Sequence, residues 1–163
     1  MPSILEFALQ TLRGERPPAS ISQFLGFQLK LIEPGHAIFT MAVDERLHNP
    51  MGTLHGGIYA DLADAAMGYA YAATLAQDET FTTIELKINF LRAVRQGMLQ
   101  AEGRVVKAGS TIGYVECEVK DEQGRLVAKA ASTCLKMKRH AGEHPPAEHH
   151  RNPRAATTPS ANS

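Results

Sequence analysis

Apolar residues recur at Ile4, Leu5, Ala8, Leu9 and Leu12, the i, i+3, i+4 spacing of a short amphipathic helix. Ser3 is placed to cap it and Glu6 to complete a capping box. Pro17-Pro18 ends that unit. Phe27–Glu33 and His36–Val43 then alternate about Pro34-Gly35, the pattern of a β-hairpin with Phe39, Met41 and Val43 on one face. At Ile58 the pattern changes. From there to Leu75 the side chains are apolar in nearly every direction, over about five helical turns, with Asp61 and Asp64 the charges that interrupt the run. A helix apolar on all sides is expected to be buried. Alternation returns from Phe81 to Val94, with Ile84, Leu86, Ile88 and Phe90 expected inward and Glu85, Lys87 and Asn89 outward. It continues through Leu99–Val105, Val115–Val119 and Leu126–Lys138, the last with Thr133, Leu135 and Met137 on one face.

The predicted order is therefore a short helix, two strands, one long helix and four strands. An all-apolar helix beside so much antiparallel sheet has an economical solution: a six-stranded antiparallel sheet wrapped around one long central helix, an α+β fold. The expected organisation is residues 1–19 as an N-terminal helix and linker, 20–138 as the domain, and 139–163 as a tail. That tail is rich in Pro, Ala, Ser and Thr and is expected to be disordered, with His144, His149 and His150 solvated.

The 163 residues suit one domain with one core. Seventeen basic and seventeen acidic side chains cancel, so no long-range field points to nucleic acid or an anionic membrane. Low net charge eases self-association. Cys117 and Cys134 have no metal-ligand or redox spacing and read as free thiols in the core of a cytoplasmic protein. The start of the chain lacks the pattern of a signal peptide, and the Ile58–Leu75 run is too rich in Ala and Asp for a membrane span.

The chemistry concentrates in His48-Asn49-Pro50-Met51-Gly52-Thr53-Leu54-His55-Gly56-Gly57, followed by Leu62-Ala63-Asp64-Ala65-Ala66. This stretch, with TTIELKINFLRAVRQG, AEGRVVKAGSTIGYVECEV and AKAASTCLKMK, resembles the hotdog-fold acyl-CoA thioesterases related to PaaI of the phenylacetate pathway, over roughly residues 20–138. The resemblance implies a homodimer with a continuous sheet, doubled to a tetramer. It implies hydrolysis of aryl- or medium-chain acyl-CoA to free acid and CoA, with no cofactor or metal, since coenzyme A is part of the substrate. By matching positions, Asp64 would be the catalytic carboxylate and Gly56 the backbone donor to the thioester carbonyl. Asn49 and His55 would hold that carbonyl or shape the loop, and Thr83 would position the attacking water. Asp64 follows the PaaI branch rather than the 4-hydroxybenzoyl-CoA branch that carries Glu.

The residue types suit that chemistry. Free N–H groups and the positive end of a helix polarise a carbonyl, and Gly56 and Gly57 let a ligand approach the backbone. Asp64 lies eight residues beyond Gly56, so about 12 Å farther along the axis. One helix cannot offer both groups to one carbonyl, but two antiparallel helices about a two-fold axis can. Asp64 as nucleophile and Asp64 as general base both remain open, and Thr82 is an alternative to Thr83. Asp61, near the positive end of the helix, is read as having a structural dipole or hydrogen-bond role. Arg92 and Lys107, with Arg95 and Arg104, are candidates for the CoA phosphates; Lys136, Lys138 and Arg139 are alternatives. Met51, Leu54, Tyr59, Met67 and Tyr71 would line an acyl pocket or simply pack the core. The competing functional reading is a non-catalytic module that binds acyl-CoA. The His/acid arrangement of hotdog dehydratases is not found.

Overall fold

A computed structural model describes residues 3–139. Its elements are α1 (Ile4–Leu12), α2 (Ser20–Leu25), β1 (Gln28–Glu33), β2 (His36–Val43), a 3-10 turn (Glu45–Leu47), α3 (Gly56–Ala72), β3 (Glu79–Phe90), β4 (Gly97–Ala108), β5 (Ile112–Asp121) and β6 (Leu126–Lys138). The strands form one antiparallel sheet in the order β1-β2-β4-β5-β6-β3, and α3 packs against its inner face. The expected architecture is the observed one. Ser3 caps α1 by accepting from the Glu6 N–H at 3.1 Å, and Ala8 of that helix reaches the core. The short α2 was not legible in the sequence, because six residues are too few to establish a helical period. The expected tail from residue 140 onward lies outside the described residues. Arg139 is still docked, its Nε donating to the Glu79 carbonyl at 3.1 Å.

The core forms where α3 meets β2, β4 and β5. Phe39 and Met41 of β2, Leu99 and Ala101 of β4, and Val115, Cys117 and Val119 of β5 are buried against Leu62, Ala66, Met67 and Tyr71 of α3. Two strand glycines set how close the helix lies. A Cβ at Gly103 would stand 2.4 Å from the Ala66 carbonyl oxygen, and one at Gly113 would stand 2.1 Å from the Tyr71 ring. Only the missing side chains let backbone and ring approach so near. Both cysteines are buried and free.

Two details differ from the sequence reading. First, α3 is not covered on every side. It sits over β2, β4 and β5 and leaves a flank toward β3, where Gly57, Asp61 and Asp64 are exposed and Ala65 and Gly68 half-buried. Alanine and glycine make a sequence look uniformly apolar without saying which side is covered. Second, β3 carries a bulge. The register passes from Thr83↔Cys134 to Glu85↔Thr133, so Ile84 is left over and is 56% exposed. The phase of the strand reverses there. Phe81 and Thr83, then Leu86, Ile88 and Phe90, share the helix side, and Ile84 does not join them as expected. In β6, Thr133, Leu135 and Met137 share one face as expected, and it is the small row Ala128, Ala130, Ser132 and Cys134 that turns to the helix. Among the described residues no helix is long and apolar enough to cross a membrane.

Candidate active site

The loop before α3 is built by Asn49. Its side-chain oxygen accepts from the Met51 N–H at 2.9 Å and its amide donates to Thr53 Oγ1 at 3.0 Å, while its own N–H reaches the Thr53 carbonyl at 2.8 Å. These bonds make the Asx-type turn that the residue favours. The loop is then clasped to the segment after β3: the Leu54 N–H donates to the Val94 carbonyl at 2.8 Å, and His48 Nε2 donates to the Arg95 carbonyl at 2.7 Å. Between the two segments lies a cavity of about 320 Å³ lined by Asn49, Gly56, Tyr59, Phe90 and Arg92, among others.

His55 is the N-cap of α3. Its Nδ1 accepts from the Gly57 N–H at 2.9 Å. This commits the Gly57 N–H and leaves the Gly56 N–H without an acceptor among the described residues. Gly56 faces the cavity under Phe90, whose ring edge would lie 3.0 Å from a Cβ built there. Tyr59, buried and donating from its hydroxyl to the Arg92 carbonyl at 3.3 Å, closes the wall behind, with its ring 5.7 Å from that of Phe90. Burial raises the Tyr59 pKa, so it stays a neutral donor. A free N–H at a helix start, bordered by a glycine and an apolar ring, is suited to hold a carbonyl oxygen.

Asp64 does not line that cavity. It projects from the open flank of α3 toward β3, where Thr83 Oγ1 donates to its Oδ1 at 3.4 Å. The bulge at Ile84 puts Thr83, and not Thr82, on the helix side; Thr82 pairs with Leu135 on the other face. Solvent reaches Asp64, yet its surroundings are apolar enough that desolvation pushes its pKa up. The Thr83 hydrogen bond opposes that shift and the Asp61 charge adds to it. The sequence expectation of a buried carboxylate is corrected to an open one, because the flank it occupies is uncovered in a single chain.

Asn49, Gly56 and Arg92 are thus brought together, as are Asp64 and Thr83, while the two groups remain apart. His55 and Gly57 hold the helix start. Lys107 lies at the opposite end: it pairs with Tyr114, next to the Gly113 that packs on Tyr71 near the end of α3. Arg92 and Lys107 have no ion-pair partner among the described residues. Arg104 pairs with Glu102, Lys136 with Glu79, and Lys138 with Asp78. Of the apolar candidates, Leu54 and Tyr59 line the cavity, Met67 and Tyr71 are fully buried core, and Met51 is exposed. Phe90, like Thr53, Leu91 and Ala93, lines the cavity without having been marked by the sequence reading. It read there as one more inward strand position, and nothing local marks that a distant loop passes beneath it.

The curled antiparallel sheet packed on one long helix, with a glycine-led helix start and a carboxylate two turns on, defines a hotdog-type hydrolase. Residues 51–128 match the model of the thioesterase superfamily. A Saccharolobus solfataricus protein named as a candidate esterase is 39% identical over 110 residues, covering 68% of this chain and 78% of that one. The 1,4-dihydroxy-2-naphthoyl-CoA hydrolase of Listeria monocytogenes is 28% identical over 120 residues, 73% of this chain and 98% of that one. Among solved structures, the Escherichia coli PaaI protein of the phenylacetic acid degradation operon superposes with a TM-score of 0.72 at 25% identity, covering 83% of this chain and 96% of that one. The chain belongs to the thioesterase superfamily and has its hotdog fold, and it is a thioester hydrolase.

Proposed function

We propose that this protein hydrolyses aryl- or medium-chain acyl-CoA thioesters to the free acid and CoA, at sites shared between two copies of the chain. The observation that carries this reading is the separation on α3. The unpartnered Gly56 N–H opens into the Phe90 cavity, and Asp64 with Thr83 stands on the uncovered flank, too far along the helix to reach it. A second α3, antiparallel on that flank, would bring the Asp64 of one copy to the Gly56 of the other. The edge position of β3, its exposed Ile84 and Phe90, and the exposed Leu91 just beyond it support pairing there.

In such a site the thioester oxygen accepts from the Gly56 N–H at the positive end of α3. Asn49 keeps the loop in shape, and His55 keeps the Gly57 N–H occupied so that the helix start holds its geometry. Asp64 then attacks the carbonyl carbon to give a mixed anhydride, or takes a proton from water held by Thr83 as that water attacks. Either path breaks the C–S bond and releases CoA as the thiolate, which takes a proton from solvent; on the first path water then cleaves the anhydride to the free acid and regenerates Asp64. Arg92, at the cavity, and Lys107, brought in from another copy, are assigned to the CoA phosphates. Coenzyme A enters as part of the substrate, and the reading needs no cofactor.

The test is a hydrolysis screen over aryl- and fatty-acyl-CoA esters with the wild type beside Asp64→Asn and Asp64→Ala. Loss of about 10²-fold or more in kcat with little change in KM is expected. Full activity in Asp64→Ala would overturn the mechanism, and binding of acyl-CoA by wild type without turnover would establish a binding module.

A further inference from the structure

The segment between β3 and β4 lies outside the strand ladders, and other bonds hold it. On one side the Leu91 and Arg92 N–H groups both donate to the Val127 carbonyl of β6, at 2.9 and 3.1 Å. On the other side three of its carbonyls meet the loop and the helix start. Arg95 accepts from His48 Nε2 at 2.7 Å, Val94 from the Leu54 N–H at 2.8 Å, and Arg92 from the Tyr59 hydroxyl at 3.3 Å. A carbonyl only accepts, so the donor is fixed in each case. His48 and Leu54 belong to the loop. Tyr59 belongs to α3, in the same first turn as Gly56. Its phenol therefore joins the helix end that carries the free Gly56 N–H to the peptide that carries the Arg92 side chain. Gly56 and Arg92 both line the cavity, and the Arg92 guanidinium is exposed, without an ion-pair partner among the described residues.

We propose that Tyr59 is a positioning residue for the phosphate end of the substrate, acting through Arg92. Its hydroxyl pins the Arg92 carbonyl to the helix start, and so sets where the guanidinium stands relative to the Gly56 N–H. The inference rests on the assignment of Arg92 to the CoA phosphates. An arginine whose backbone is already fixed loses less freedom when a phosphate binds it. Without the Tyr59 bond, Arg92 is anchored through its own N–H on one side alone, and ordering it on binding costs affinity. The hydroxyl is separable from the rest of the side chain. The buried Tyr59 ring, 5.7 Å from that of Phe90, builds the cavity wall, and a phenylalanine ring would fill the same space. The Arg92 carbonyl belongs to a residue that lines the cavity, where water can take the place of the phenol. The bond is thus not needed to satisfy a buried carbonyl, and its effect falls on the position of Arg92.

The kinetic arm of the test rests on the thioesterase reading, and the binding arm needs no turnover. Tyr59→Phe, Arg92→Ala and the double variant are made in the full chain, with folding checked by thermal unfolding. kcat and KM are measured for one acyl-CoA ester and for the same acyl group on pantetheine, which keeps the thioester and lacks the nucleotide. Binding of coenzyme A itself is measured by calorimetry. Tyr59→Phe is expected to raise the KM of the acyl-CoA ester and the Kd of coenzyme A about two- to tenfold, the effect of one neutral hydrogen bond, with kcat changed less than KM and the pantetheine ester affected much less. In the Arg92→Ala background the same substitution should add little, because the group it positions is gone. A packing role alone would lower the melting temperature and weaken both esters alike, and that result would overturn the proposal. So would an unmoved KM and Kd in Tyr59→Phe, or a loss that adds in full to that of Arg92→Ala. If wild type turns over no acyl-CoA, the thioesterase reading fails and calorimetry still decides. Weakening of coenzyme A by Tyr59→Phe that vanishes in the Arg92→Ala background supports the role of Tyr59, and a wild type that does not bind coenzyme A overturns it.

Discussion

Asp64 sets function against stability. Desolvation raises its pKa in the folded chain, so ionising it costs the fold something that ionising it in the unfolded chain does not. Below the unfolded pKa both states are protonated and there is no penalty. The penalty grows as pH rises through the folded pKa and is then full at neutral pH. Asp64→Asn is therefore expected to lose turnover and to melt at a higher temperature than wild type at neutral pH, with the difference closing in acid. Thermal unfolding at two pH values checks this, and an unchanged or lower Tm at neutral pH would count against a desolvated carboxylate. The same sign governs activity. Asp64 must be ionised to attack or to take a proton, so the acid limb of kcat/KM should lie at higher pH than an aspartate without this desolvation would give. Asp64, Gly56 and Asn49 were legible from the sequence because a turn-rich segment, a glycine pair and an isolated acid in an apolar run are each chemically conspicuous. Phe90 was not. It resembles an ordinary strand residue until the neighbouring loop is in place.

The elements divide in the same way. The β1–β2 hairpin and α3 could be read from the chain because their periods are local properties. The β3 bulge could not, since it exists only in the pairing of β3 with β6, and it is what turns Thr83 to the helix side. The close approach of α3 to β4 is likewise a property of two elements, and glycine is its mark. Gly103→Ala would drive a Cβ against the Ala66 carbonyl at 2.4 Å and the Met67 nitrogen at 2.8 Å. Both are backbone atoms and neither can swing aside. The expected loss of stability is about 1–3 kcal/mol, the cost of overpacking. Gly68→Ala is the contrast. Its Cβ would meet Phe81 at 3.6 Å, an ordinary contact, and alanine in a helix interior is favoured over glycine by about 0.8–1.0 kcal/mol. Urea denaturation of the two variants should move the midpoint in opposite directions. A large loss at Gly68→Ala would show instead that another helix packs closely on that flank.

At the scale of the whole molecule, the question is whether one copy of the chain suffices. In a single chain the Gly56 cavity and the Asp64–Thr83 pair lie on one helix but not at one place. If each site takes Gly56 from one copy and Asp64 from the other, a two-fold dimer has two sites, and defects in the two residues must complement. Gly56→Val, which crowds the cavity under Phe90, and Asp64→Asn should each be inactive alone. In a hybrid of the two, one site carries both substitutions and the other carries none. Random reassortment of equal amounts makes half the dimers hybrid, each with one intact site of two, so activity should return to about a quarter of the wild-type value per chain. Mixing after reversible dissociation, with both variants checked for folding, measures this directly. Were both groups used by the same chain, every site would keep one defect and no activity would return. The recovered fraction thus reports the geometry of the site itself, independently of which acyl group it accepts.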